Sequence, residues 1–301
     1  MKQVKVLLSA YNGAEYIKQQ IDSILAQTYE NIELYVRDDG SKDATASILK
    51  EYEKTHKIHV TYGENVGFVH SFEKLMQESG DADYYAFCDQ DDVWLPEKIA
   101  MAVDLLEKED NHQPLLYFSN YDYYDGNLNF QEHHKMENPN ISFRNALVDC
   151  VSLGFNSVFN KCARDMVVEK MPEHSLGHDW WMYMVCVAFG KVVYDNRVTV
   201  KYRRHSENVS SAGMSFIRFQ IWRFKKFFLN GYFKKVRIQI QEFKDLYYNS
   251  LKSENQKLMD LFSESGFHPI LGVRKVFCPG RFRQGTVDEI FLRIIFLIGQ
   301  L

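Results

Sequence analysis

The run Asp89-Gln90-Asp91-Asp92, set directly after the apolar stretch Tyr84-Tyr85-Ala86-Phe87-Cys88, packs three carboxylates into four residues. Such charges repel one another where a buried strand ends, and a divalent ion bridging to a diphosphate would relieve that repulsion. An acidic turn whose Asp92 caps a helix opening near Pro96 accounts for the same letters. A second acid, Asp179, opens an apolar helical run, where it is either an N-cap or an ionised carboxylate able to take a proton. Between Met214 and Gln241 lie Arg218, Arg223, Lys225, Lys226, Lys234, Lys235 and Arg237, with no Asp or Glu and many interleaved aromatics. That segment suits either an interfacial helix on an anionic membrane or a helix that packs its aromatic side on the rest of the protein.

The elements that must position these groups alternate. Val4 to Leu8 is a short apolar run, and Ile17, Ile21, Ile24 and Leu25 share one helical face beyond the Asn12-Gly13 turn. Ile32, Leu34 and Val36 alternate with polar neighbours before Asp38-Asp39-Gly40-Ser41, and Ile48, Leu49 and Tyr52 mark a second helix. Strands at Ile58 to Tyr62 and Tyr84 to Cys88, with helices from Phe68 and from Pro96, repeat the unit. Alternating strands and helices predict an α/β fold with a mainly parallel sheet covered on both faces, which binds ligands beyond the carboxyl ends of its strands. The loops Ser9 to Gly13, Asp38 to Asp43, Gly63 to Gly67 and Asp89 to Asp92 all fall on that edge. From about Leu115 the pattern changes to hairpins (Leu115 to Phe118, Gly154 to Phe159) and helices (Phe143 to Cys150, Trp180 to Phe189).

Five motifs in this order, Ser9-Ala10-Tyr11-Asn12-Gly13, Asp38 through Asp43, Asn65-Val66-Gly67, Asp89 through Trp94 and His178-Asp179-Trp180-Trp181, resemble the family 2 inverting glycosyltransferases with the GT-A fold. The last two motifs are similar to those of the bacterial rhamnosyltransferase branch. The resemblance implies a mixed, mainly parallel GT-A sheet over residues 1–210, with a nucleotide-sugar half at 1–114 and an acceptor half at 115–210. Residues 211–301 then form a C-terminal helical, basic and aromatic extension outside the likeness.

It also implies roles. Asp39 would accept the ring N–H of a uracil or thymine with Asp38 beside it at the nucleotide, the alternative for both being an ordinary Asp-Gly turn before a helix. Ser9, Tyr11, Asn65 and Gly67 would border the nucleotide, while Asp89 and Asp91 match the metal motif and Asp92 the donor-sugar side. The expected cofactor is magnesium or manganese on oxygen ligands, with Asp91 as the direct ligand. Asp179 would be the general base. Trp180 and Trp181 are candidates to stack on an acceptor sugar, with one of them in the core, and a structural hydrogen bond is the default for His178. Gly154 would allow close approach of the acceptor or simply bend a strand. The loop Tyr202 through Asn208 resembles one that closes over the diphosphate, with His205 completing the metal shell and Arg203 or Arg204 adding positive charge, the alternative being a solvated basic loop.

Composition bounds the reading. At 301 residues, 46% hydrophobic and a net charge of -4, the chain is globular, and no nucleic-acid motif accompanies its basic stretch. Five widely spaced cysteines suit reduced core thiols, and Met1-Lys2-Gln3-Val4 runs straight into a strand. Both point to the cytoplasm, with a peripheral place on the inner face of the plasma membrane through residues 214–241, and make the Asn208-Val209-Ser210 sequon incidental. The expected partners are a dTDP- or UDP-sugar donor and a saccharide or lipid-linked saccharide acceptor of bacterial surface polysaccharide synthesis, and the reading admits an oligomer. A nucleotidyltransferase and a catalytically silent sugar-binding scaffold at the membrane are the rivals.

Overall fold

The computed structural model describes residues 1–55, 58–205, 231–263, 269–299 and 301. Four strands alternating with three helices open the chain: β1 (Val4–Ala10), α1 (Ile17–Leu25), β2 (Ile32–Asp38), α2 (Thr45–Thr55), β3 (Ile58–Tyr62), α3 (Phe68–Glu78) and β4 (Tyr84–Cys88). After the acidic run come β5 (Val93–Trp94), α4 (Lys98–Leu106), β6 (Leu115–Asp125), β7 (Phe130–His133) and α5 (Phe143–Ala146). A 3-10 turn over Gly154–Asn156 leads into β8 (Ser157–Asn160), followed by α6 (Lys161–Glu169), α7 (His178–Phe189) and β9 (Lys191–Arg204). Helices α8 (Tyr232–Tyr247), α9 (Ser253–Ser263), α10 (Pro269–Val276) and α11 (Thr286–Leu297) follow.

The strands form one mixed sheet in the order β3-β2-β1-β4-β8-β6-β9-β5, with β7 beside β6. Strands β1 to β4 pair in parallel, β8 is antiparallel to both its neighbours, and β6 and β9 pair in parallel. Register brings the ends of β1 and β2 level, Ala10 opposite Asp38, with Leu8 opposite Cys88 on β4. The three following loops therefore leave the sheet side by side, where ligands of open α/β sheets bind.

Side-chain alternation sends Val4, Val6, Leu8 and Ala10 to a core under α1, α2 and α4, while Leu7 faces a second core with Phe72, Phe87 and Phe159. That second core continues without a break into the C-terminal helices: Phe233, Ile240, Phe243 and Phe296 share it with Phe143, Trp181 and Met184. The described C-terminal helices thus pack on α5 and α7. The part of the 214–241 stretch that is described, the start of α8, turns Phe233, Val236 and Ile240 inward and leaves Lys234 and Lys235 exposed. Residues 214–230, and the sequon, lie outside the described residues. All five cysteines are free thiols.

The helix expected over Phe143 to Cys150 ends at Ala146 and the strand expected over Leu115 to Phe118 runs on to Asp125, and two further boundary differences bear on the site. The helix placed at Pro96 starts at Lys98 behind β5, so Asp92 caps nothing and lies fully buried. The strand placed at Gly154 begins only at Ser157, because Gly154–Asn156 turns to meet α7.

Candidate active site

The loops at the sheet edge are tied to one another by their own side chains. Gln90 Oε1 accepts the Tyr11 N–H at 2.8 Å and its Nε2 donates back to Tyr11 O at 3.0 Å, so the acidic run is stapled to the first loop. Ser9 Oγ donates to Ser71 Oγ on α3 at 2.6 Å, and Asp38 Oδ1 holds the Ser41 N–H at 3.0 Å, which makes Asp38 the turn-former. Tyr11 is exposed at the rim.

Asp39 is buried and pairs with Arg37. Its carboxylate also accepts the N–H groups of Val66, at 3.0 Å to Oδ1, and Gly67, at 2.9 Å to Oδ2. Asp39 thus fixes the Asn65-Val66-Gly67 loop from its place directly after β2. Gly67 has φ +84° and Gly40 φ +79°, conformations that favour glycine, and a Cβ on Gly40 would sit a tight 3.0 Å from Asn65 N.

Asp92 Oδ1 accepts the Arg203 N–H at 2.9 Å, whereas its Oδ2 is buried without a partner. Burial, then the charges of Asp91 and Asp89, push the Asp92 carboxyl well above the usual range. Asp89 is raised by burial, then by Asp91 and Asp179, which places the acid of α7 within electrostatic reach of the acidic run. His205 Nε2 lies 2.9 Å from Asp91 Oδ2, across 114 residues of chain, and its ring packs on Tyr16. Among the described residues no group of three or more His, Cys, Asp or Glu has the geometry to hold a metal by itself.

Asp179 Oδ2 accepts the Gly154 N–H at 3.0 Å and its Oδ1 the Trp180 N–H at 2.8 Å. Burial nevertheless raises its carboxyl above the ordinary value, because two backbone donors only partly replace lost water. His178 beside it is buried, stacked 3.8 Å from Phe72 and edge-on to Phe87 at 4.5 Å. Neither ring nitrogen has a hydrogen-bond partner, against the expected structural bond, and burial lowers its pKa to about 3.

Two expectations are corrected. Trp181 is fully buried against Phe243 and Tyr247, and Trp180, also buried, donates through Nε1 to Ala146 O at 2.6 Å, so both indoles are core rather than sugar platforms. Arg203 is buried, with its guanidinium bound to Asp91 O, Gly126 O and Gln19 Oε1 over the Tyr16 ring. It holds the acidic run in place and is not free for phosphate. Arg204 sits on the Tyr123 ring and pairs with Glu132 at 2.7 Å.

Three residues of the site escaped the sequence reading. Gln90 read as a spacer between acids, and only the fold shows its link to Tyr11. Lys98, fully buried with Nζ unpartnered among the described residues and 4.5 Å from the Trp94 ring centroid, is depressed to about 7 by burial. It stands within reach of Asp92, which opposes that depression. Phe68, half exposed at the start of α3 and edge-on to His178 at 6.2 Å, directly follows the Asn65-Val66-Gly67 motif, which was the signal available.

A mixed sheet with an acidic run at the end of its central strand and a second acid facing it defines the GT-A class of sugar transferases. The family described as glycosyl transferase family 2 matches residues 5–171, more than half of the chain, and the chain belongs to that family. A Rickettsia typhi protein named as an uncharacterized glycosyltransferase is 28% identical over 221 residues, covering 70% of this chain and 67% of that one. A similarly named Rickettsia conorii protein is 31% identical, covering 69% of this chain but 35% of its own length. The chain spans less than two thirds of most of the first curated relatives it matches, down to 19%. Staphylococcus aureus TarS 1-349 in complex with UDP-GlcNAc shares the fold at TM-score 0.59 and 15% identity, covering 99% of this chain and 79% of that 1-349 chain. The mannosyltransferase PcManGT from Pyrobaculum calidifontis, in complex with GDP-Man and Mn2+, does so at 0.53 and 15%, covering 99% and 86%.

Proposed function

We propose that this chain transfers a sugar, with inversion, from a nucleoside diphosphate donor to a hydroxyl of a saccharide or lipid-linked saccharide acceptor. A uridine or thymidine diphosphate donor fits Asp39, and dTDP-rhamnose is the donor suggested by the motifs around Asp91 and Asp179. The product class suggested by that likeness is a bacterial surface polysaccharide. The observation that carries the proposal is the meeting of Asp179, partly exposed and raised by burial, with the Asp89-Asp91-Asp92 run at one sheet edge.

In the proposed reaction the acceptor hydroxyl gives its proton to the Asp179 carboxylate as its oxygen bonds to the anomeric carbon. The bond from that carbon to the diphosphate oxygen breaks on the opposite side, and the nucleoside diphosphate leaves with the electron pair. The N–H groups of Gly154 and Trp180 fix the direction of the Asp179 carboxylate for this attack. Phe68, rather than either tryptophan, offers an exposed ring face beside the base for a sugar to lie on.

The residues fit a divalent cation. Asp91 and His205 are already paired, Asp89 carries a raised carboxyl beside them, and the buried Asp92 Oδ2 lacks any donor. Magnesium or manganese takes one or two carboxylates and completes its shell with substrate phosphates, so a full protein cage is not needed. When bound, the ion would neutralise charge on the leaving diphosphate.

The test is Asp179→Asn. Transfer is expected to fall by about 10²- to 10⁴-fold, while stabilisation of the folded protein by donor and manganese in a thermal-shift assay is retained. Retained turnover in that variant would remove Asp179 from the mechanism. A wild-type protein that binds donor yet transfers to no saccharide or lipid-linked acceptor would point to a silent binding scaffold.

A further inference from the structure

Eight of the fifteen exposed large hydrophobic side chains of the described residues lie on the last two helices or on the residue directly after each. On α10 and the residue just after it they are Ile270, Val273 and Phe277, between 46% and 80% exposed, at the spacing of one helical face. On α11 the stripe runs Val287, Ile290 and Ile294 and extends through Leu297 and Ile298. The opposite sides are well anchored: Leu292, Ile295 and Phe296 are buried, and Phe262, Phe282 and Phe296 pack ring to ring. These helices therefore fold by their inner faces and keep a second, outward apolar face that globular packing does not require.

Charge selects the occupant. From Pro269 to Leu301 the basic residues are Arg274, Lys275, Arg281, Arg283 and Arg293, and the acids are Asp288 and Glu289. Arg283 pairs with Asp149 and Arg293 with the buried Glu289, while Lys275 is buried on Leu301 O. Arg274 and Arg281 are exposed and have no carboxylate partner among the described residues. A second copy docked through the same stripes would offer these arginines little in return, because on these two helices Glu289 is buried and Asp288 only partly exposed. An anionic lipid surface accepts both the apolar stripes and the arginines.

The patch also stands on the acceptor side. Asn145 Nδ2 donates to Phe282 O and Arg283 pairs with Asp149, so the turn between α10 and α11 rests on the segment that leads from α5 to Gly154 and Asp179.

We infer that the outward faces of α10 and α11 dock this protein on an anionic bilayer. The proposal concerns lipid binding and stands or falls independently of sugar transfer. It is tested by sedimenting the full chain with phosphatidylcholine vesicles, with and without phosphatidylglycerol, beside Ile290→Glu/Ile294→Glu and Arg274→Gln/Arg281→Gln. Wild type is expected on the anionic vesicles, and the glutamate pair in the supernatant with an unchanged melting transition. The arginine pair should bind those vesicles about 30-fold more weakly and lose most of its salt sensitivity, since each basic side chain near such a surface contributes about fivefold. Both arginines are exposed and lose at most the surface bond from Arg281 to Gln284 O, so this pair keeps the test decisive if the glutamate pair fails to fold. Wild type left in solution, or both variants sedimenting as wild type does, would overturn the inference. So would a dimer, seen by sedimentation equilibrium, that the glutamate pair splits while no vesicle binding occurs.

Discussion

Replacing His178 by leucine should remove an acid-sensitive term from the stability of the whole domain. The imidazole lies between Phe72 and Phe87 with both nitrogens unpartnered, and burial lowers its pKa from 6.5 to about 3. The folded state therefore holds His178 neutral, while the unfolded chain takes up its proton below about pH 6.5. The term is absent above the unfolded pKa and grows as pH falls towards the folded one. At about 1.4 kcal/mol per pH unit, the interval from 6.5 to about 3 is worth roughly 5 kcal/mol in full. Between pH 7 and pH 5 it amounts to about 2 kcal/mol lost by wild type and not by His178→Leu. Any packing change from the shape of leucine is the same at both pH values and cancels in the difference. Urea unfolding of both proteins at pH 7 and pH 5 measures it. Equal losses for the two proteins would refute the account of a buried neutral imidazole.

Two further substitutions probe the same wall. Gly154→Ala would put a Cβ 2.8 Å from His178 Nε2, and the ring cannot retreat because Phe72 and Phe87 hold it. Urea unfolding should show a loss of about 1–3 kcal/mol, and transfer should fall because the Gly154 N–H would no longer hold Asp179 in place. Unchanged stability would mean that the turn has slack. Phe68→Ala should raise the KM for one sugar substrate by about two- to tenfold with little change in melting temperature, since the ring is half exposed, and unchanged kinetics would exclude it as a platform.

Much of the nucleotide half was legible in the letters because its signals are local. Strand alternation at Ile32, Leu34 and Val36, the helical spacing of Ile17, Ile21 and Ile24, and glycines at the turns each report on a few neighbouring residues. A parallel sheet with crossover helices then puts the loops after β1, β2 and β4 on one edge whatever their exact composition. That is why the acidic run and Asp39 could be placed at a ligand-binding edge without coordinates. Strand β9 escaped notice because its pairing with β6 shifts register around Ser119 and Asn120, and no sequence period marks such a shift.

The sequence by itself determined the class of chemistry: which side chains can carry negative charge, where a strand must end, and which loops share an edge. Only the tertiary structure decided which of those groups are available. Arg203 and the two tryptophans have the composition of binding residues, yet 111 residues of separation close up to put Arg203 under the acidic run, and α8 closes over Trp181. The same folding joins His205 to Asp91 and turns the apolar stripes of α10 and α11 outward rather than inward. Availability is a property of burial, and burial depends on contacts between residues far apart in the chain, which no local pattern records.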